Sequence, residues 1–364
     1  MLLLYLPDYY LLGMLAWLTC LAVGLWWGLR LRRRWKGNAG RLRWIHAGLS
    51  LWFVAVGLTM PELLFALFYD RTDSFNMTNV SERWFRRHVV RNPQGFRDTA
   101  PLSRAAPDGR QRIVFLGDSF TFGHGVERVE DRFSDRVGRE LEVKAPGRFQ
   151  VINLGIPGIA VNDMASIWER MIDLPDCQAD VAIYAICLND IEWMSRKETE
   201  QQYKPLQALK PRFFLFRDTY FYNWLYFRVQ LLRQPKLLNY YDYVRQYYAG
   251  PPWQKMQAEL DVLHARLQKH GTDLRLVVFP FLHNLGPDYP FRDAHQRIAE
   301  YGRKRKIPVL DLEPVLSPHA REGLTVNPFD AHPNVRANEL TATAIVRDLL
   351  PDLIQPLDQK LRKL

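Results

Sequence analysis

Apolar and polar positions fall into two regimes along this chain. The first 70 residues are mostly apolar. Tyr9–Leu29 carries no charge, and a second run, Trp44–Tyr69, is interrupted only by His46, Pro61 and Glu62. About 20 apolar residues cross the hydrocarbon core as a helix, and a helix closes its own backbone hydrogen bonds there. The pattern predicts a transmembrane hairpin over residues 1–69. A polar connector without a clear period follows over 70–111. From Arg112 onward short β-branched runs alternate with amphipathic stretches. The runs are Ile113–Leu116, Val151–Leu154, Val181–Leu188, Leu274–Phe279 and Val309–Leu312, several of them continuously apolar, as strands buried on both faces are. The helical candidates are Val129–Val143, Val161–Ile172, Trp253–His270, Ala294–Lys304 and Asn334–Leu350. This alternation predicts an α/β domain over 112–364, a three-layer, doubly wound, parallel five-stranded sheet. Ligands of such sheets bind beyond the carboxyl ends of the strands.

One stretch breaks the alternation. Residues 191–252 form an insertion in which fifteen of the forty-six residues from Tyr203 to Tyr248 are aromatic. Arg212, Arg217, Arg228 and Arg233 are interspersed. A helical insertion packed on the domain, a membrane-surface segment and a lid over the site are the three readings of this composition.

Charge sharpens the topology. The formal net charge is +10, and residues 1–69 carry +5 of it. Their basic residues, Arg30, Arg32, Arg33, Arg34, Lys36, Arg41 and Arg43, all lie between the two apolar runs. A cleaved signal peptide has its basic residues before the apolar run, whereas Asp8 stands there. The positive-inside rule keeps residues 30–43 cytoplasmic and turns both termini outward. The expected location is a bacterial inner membrane, with the domain on the periplasmic or other extracytoplasmic side. Because topology accounts for the densest basic cluster, nucleic acid is not an expected partner. The three cysteines show no metal-ligand spacing. A strand between Cys177 and Cys187 argues against a disulfide joining them.

Candidate chemistry sits where the strand runs end. The first run leads into Gly117-Asp118-Ser119 and a glycine-containing turn with Gly123. The second ends Asn153-Leu-Gly155-Ile-Pro-Gly158, and the third Cys187-Leu-Asn189-Asp190. Near the C-terminus stands Phe329-Asp330-Ala-His332-Pro-Asn334. A lone strand–Gly-Asp-Ser turn is an ordinary helix cap. The four blocks in this order, however, resemble the SGNH (GDSL-like) hydrolase and acyltransferase family over roughly residues 112–350. Asn92–Asp98, NPQGFRD, also looks like the approach sequence of membrane-anchored relatives.

The resemblance implies a flavodoxin-like SGNH fold and serine chemistry on acyl esters. Ser119 is then the nucleophile, His332 its base and Asp330 the residue that orients the imidazole. The Ser119 and Gly158 backbone N–H groups and the Asn189 side chain are the implied oxyanion donors. Two departures stand out. The acid-to-histidine spacing is DxH where the family usually has DxxH, and Cys187 occupies a usual glycine position. Asp118 and Asp190 read as turn and cap residues, while His124 and His283 read as pocket wall. No cofactor or metal is implied. The expected substrates are acyl, mainly acetyl, esters of envelope glycans or lipids, and a membrane-embedded acyl-donor protein is an expected partner. Water or a hydroxyl as second nucleophile separates an esterase from an O-acyltransferase. A non-catalytic envelope scaffold or glycan-binding protein of the same fold is the rival reading.

Overall fold

The computed structural model describes residues 2–102, 106, 109–172, 179–233 and 240–354. The chain divides into two compact units. One joins Met1–Arg87 to Gln207–Gln234, and the other joins His88–Leu206 to Pro235–Leu364.

The larger unit is built on five parallel strands: β1 (Gln111–Gly117), β2 (Phe149–Asn153), β3 (Val181–Cys187), β4 (Asp273–Phe279) and β5 (Val309–Asp311). Their order is β2-β1-β3-β4-β5. Alternate side chains of each strand enter opposite cores. Val114, Leu116, Tyr184, Ile186, Leu276 and Val278 pack with Trp168, Leu260, Leu263 and Ile298 from helices Val161–Ile172, Pro251–Lys269 and Arg292–Arg305. Ile113, Phe115, Ile183, Val277 and Phe279 face the other way, against Phe133, Val137 and Ala342 from helices Phe133–Lys144 and Val335–Ala344. Burial on both faces is why these strands read as unbroken apolar runs. This three-layer arrangement is the expected fold class. The order reverses between β1 and its two neighbours, β2 and β3, the switch point at which such sheets bind ligands. Beyond β5 a two-stranded antiparallel ribbon, β6 (Thr325–Asn327) and β7 (Asp330–Pro333), brings the C-terminal block to that end of the sheet.

The smaller unit contains the apolar helices Asp8–Arg34 and Ala39–Leu67, both long and apolar enough to cross a membrane. Asp8 in the first turn and Arg32, Arg33 and Arg34 in the last complement the dipole of the first helix. Asn38 caps the second through Arg41 N–H at 3.0 Å. Trp52 Nε1 donates to the Leu21 carbonyl at 2.7 Å, and Trp17 Nε1 to Thr59 Oγ1 at 2.9 Å. These bonds satisfy indole groups that lipid could not.

The boundaries differ from those the polarity pattern suggests. The connector 70–111 contains a helix, Asn79–His88, and the division between units falls at its end. The 191–252 insertion is not one element. Its flanking helices Arg196–Gln207 and Tyr240–Ala249 lie mainly in the larger unit, where Val244 and Tyr248, four residues apart, are fully buried in the core. Its middle, with helices Phe214–Arg217 and Phe221–Leu232, groups with the hairpin. Two contacts account for this. Glu62, buried in the second apolar helix, accepts the N–H groups of Tyr220 at 2.8 Å and Phe221 at 2.9 Å, and the Tyr10 hydroxyl at 2.7 Å. Arg83, fully buried, donates to the Phe65, Ala66 and Tyr69 carbonyls and lies 4.6 Å from the Tyr220 ring. A carboxylate thus satisfies the start of one helix and a guanidinium the end of another. Cys187 is a buried free thiol, and Cys177 lies outside the described residues.

Candidate active site

Ser119 opens a short helix, Ser119–Phe122, directly after β1. Asp118 caps it, its Oδ1 accepting Phe120 N–H at 2.8 Å, and Gly123 ends it in the left-handed conformation at φ 78°. The ribbon strand β7 delivers Asp330 and His332. Residues two apart on a strand point to one face, so the short DxH spacing suits an acid and base carried on a strand. His332 Nδ1 and Asp330 Oδ1 are 2.5 Å apart, and Asp330 Oδ1 also accepts His332 N–H at 3.1 Å. With its Nδ1 proton held there, His332 Nε2 accepts the Ser119 hydroxyl at 2.7 Å. The three groups form one hydrogen-bonded chain from a buried carboxylate to a partly exposed serine. Such a chain can take a proton from Oγ as it attacks a carbonyl.

His124 joins this chain. Its ring stacks on that of His332 with centroids 4.0 Å apart and planes at 15°. Its Nε2 lies 3.5 Å from the other Asp330 oxygen, Oδ2. One carboxylate therefore faces two histidines. The side-chain ligand atoms of His124, Asp330 and His332 lie within 4.8 Å of one another, which is the reach of a metal site. Both His332 nitrogens are already engaged by Asp330 and Ser119, so that ring has none to give a metal while the chain is intact. His283 is exposed in the 3-10 turn Leu282–Asn284 after β4, which packs against β7, and its ring centroid lies 5.4 Å from that of Tyr241.

Asn189 and Gly158 follow β3 and β2 at the same end of the sheet. Asn189 Oδ1 is buried with no hydrogen-bond partner. Gly158 is exposed, with φ 78° and open space where a Cβ would stand. Gly155 is placed differently. Its N–H donates to Asn153 Oδ1 at 2.9 Å, and a Cβ there would meet Phe122 N at 2.3 Å. It is pressed against the serine helix, whereas Gly158 stands in the open.

Two further residues hold the serine turn. Asn153 Nδ2 donates to the Thr121 carbonyl at 2.6 Å and Ser134 Oγ at 2.7 Å. Arg97, buried, donates to the carbonyls of Gly123 and Val126, each at 2.6 Å, and of Glu127 at 3.2 Å. Burial pushes its guanidinium down to about 9, still charged at neutral pH. The NPQGFRD stretch was the only sequence signal for Arg97.

Beneath the serine lies a buried acidic pair. Burial raises the Asp118 carboxyl to about 6. Asp190 is raised well above the usual carboxylate range by burial and then by the charge of Asp118, although it accepts the Tyr184 hydroxyl at 2.5 Å.

A family profile described as GDSL-like lipase/acylhydrolase matches residues 115–340. The chain belongs to this GDSL-like lipase/acylhydrolase family. The match runs from β1 into the helix after β7 and includes all four blocks, and it makes this an esterase-type enzyme. Similar solved structures include a member of the lipolytic protein G-D-S-L family from Veillonella parvula (14% identity, 66% of this chain, 99% of that chain, TM-score 0.39). Another is a two-domain esterase active on acetylated mannans (18%, 68%, 50%, 0.41). A third is a catalytic mutant of an acetylxylan esterase from Geobacillus stearothermophilus (15%, 66%, 95%, 0.41). The assignment rests on the family match. Among curated proteins, no relative matches.

Two predictions follow from the geometry of this GDSL-like site. His124→Ala removes the stack and the second Asp330 contact, so kcat should fall by up to about 10²-fold with KM little changed, while His124→Phe, which keeps the stack, should lose less. Equal losses, or a change in KM alone, would assign His124 to the pocket wall. Asp118 supplies the second. Its folded-state value of about 6 exceeds the ordinary 3.8. Between these pH values the folded chain keeps a proton that the unfolded chain has released. The stabilising contribution of this group is therefore full below about pH 4 and is lost as pH rises through about 6. Asp118→Asn keeps the capping oxygen and should flatten that part of the thermal-midpoint profile.

Proposed function

We propose that this family member is a membrane-anchored serine esterase or O-acyltransferase acting on acetyl or related acyl esters of envelope glycans or lipids. The observation that carries the reading is the Asp330–His332–Ser119 hydrogen-bond chain at the carboxyl end of the sheet. Ser119 Oγ attacks the ester carbonyl and its proton passes to His332 Nε2. The tetrahedral oxyanion is held by the Ser119 and Gly158 N–H groups and the Asn189 amide. His332 returns the proton to the leaving alcohol as the C–O bond breaks, leaving an acyl-Ser119. Water, deprotonated by His332, completes hydrolysis, and a sugar hydroxyl in its place completes transfer. Asp330 stabilises the imidazolium throughout.

The envelope assignment is supported by the two apolar helices and the basic block between them. With residues 30–43 cytoplasmic, everything beyond the second helix is extracytoplasmic, and the inner membrane of a bacterium is the proposed site. A membrane-embedded protein that brings an acyl group across the bilayer is the partner such a transferase needs.

A fluorophosphonate probe should label wild type and leave Ser119→Ala unlabelled. Ser119→Ala and His332→Ala should each abolish turnover of an acetylated glycan, Asp330→Ala should cost about 10⁴-fold, and Asn189→Ala about 10²–10³-fold. Full turnover by Ser119→Ala would falsify the serine mechanism. For topology, alkaline phosphatase fused at the C-terminus should be active in cells, and the reverse result would place the domain in the cytoplasm.

A further inference from the structure

We propose that helix Phe221–Leu232, though far from the hairpin in sequence, is an interfacial membrane helix whose partner is the lipid surface of the outer leaflet. The proposal rests on the anchoring reading above. Eighteen residues separate Trp44 from Glu62 in the second apolar helix, about 27 Å at the helical rise, close to the ~30 Å hydrocarbon thickness. With Trp44 at the cytoplasmic interface, Glu62 stands at the opposite one. There its carboxylate holds the N–H groups of Tyr220 and Phe221, so helix Phe221–Leu232 begins at that level. The Tyr222 hydroxyl donates to the Leu58 carbonyl at 2.6 Å, one turn deeper along the apolar helix.

The helix has two unlike faces. Asn223 and Phe227 are buried, and Trp224 packs on Phe65 with ring centroids 5.3 Å apart. Leu225, Val229 and Leu232, spaced four and three residues apart, form an exposed apolar stripe, and Leu232 is 78% exposed. On the preceding segment Phe213 and Phe214 are also exposed, at 55% and 61%. Near the end of the second apolar helix Met60, Leu64 and Phe68 make another exposed stripe at spacing four. Exposed Arg212 and Arg233 flank the segment. Apolar stripes at the level of a membrane boundary, edged by Trp, Tyr and Arg, fit the headgroup-to-acyl zone. In water, both stripes would be uncompensated apolar surface.

Full-length protein reconstituted in phosphatidylcholine/phosphatidylglycerol vesicles provides the test. Nitroxide labels are placed singly at V54C, L225C, L232C and E82C, with Cys20→Ala and Cys177→Ser as background. Power saturation with oxygen and a water-soluble nickel chelate reads the depth of each label. L225C and L232C should favour oxygen, at about 5–10 Å below the phosphates, with V54C deeper and E82C in water. If V54C is deep while L225C and L232C are nickel-accessible, the interfacial helix is overturned and the anchor stands. If V54C is itself nickel-accessible, the anchoring reading fails and the interfacial helix fails with it.

Discussion

The buried guanidinium of Arg97 gathers the carbonyls of Gly123, Val126 and Glu127 around one point. A cation out of water is costly unless polar groups replace its hydration. Here backbone dipoles do so, and in return the loop after the serine helix is drawn into a single conformation. That loop carries His124, which meets His332 and Asp330 from the other side. Arg132 continues the arrangement, donating to the Arg97 carbonyl at 2.8 Å and pairing with Asp135 through two hydrogen bonds of 2.8 and 3.0 Å. Ser119 is therefore held at both ends, by the Asp118 cap before it and by the Arg97 cluster after it. A serine and base brought from positions 213 residues apart need such support on each side of the pair.

The floor of the site follows from the sheet. Asp118, Asp190 and Tyr184 are each buried where the strands end, and Asp190 accepts the Tyr184 hydroxyl. Two carboxyls buried in this way oppose each other's ionisation. Their protonation alters the field at Ser119, whose Oγ lies 3.5 Å from Asp118 Oδ2 and 2.7 Å from His332 Nε2. The Cys187 thiol, at a position where the family usually has glycine, is also buried there and pushed up by burial. It adds volume to the wall and no charge.

In the smaller unit the same rule acts with opposite signs. Glu62 and Arg83 are charges on or beside apolar helices, and each is spent on backbone groups at a helix end. This is how a segment inserted some 140 residues later becomes part of the hairpin's own structure. Asn79 strengthens the join, its side chain donating to the Arg217 and Thr219 carbonyls and its N–H to Asn223 Oδ1.

Much of this was legible in the chain alone. Continuous β-branched runs mark strands buried on both faces, because only such strands lose the polar alternation. The two long apolar runs of the first 70 residues mark the hairpin, the serine and asparagine blocks were legible because each follows a strand end, and the histidine block because it completes them in order. Other features were not local. The partition of 191–252 depends on Glu62 and Arg83, which lie outside it, and aromatic residues all round its helices hide which face is buried. The sequence marked His124 only as pocket wall and Arg97 only through NPQGFRD, and what each of them holds appears only when distant segments meet. The short DxH spacing resolved once Asp330 and His332 were found on a strand, where side chains two residues apart share a face. Periodicity is a property of one element and can be read from its residues. Which charge satisfies which helix end, and which ring stacks on the base, are properties of packing between elements, and only the tertiary structure decided them.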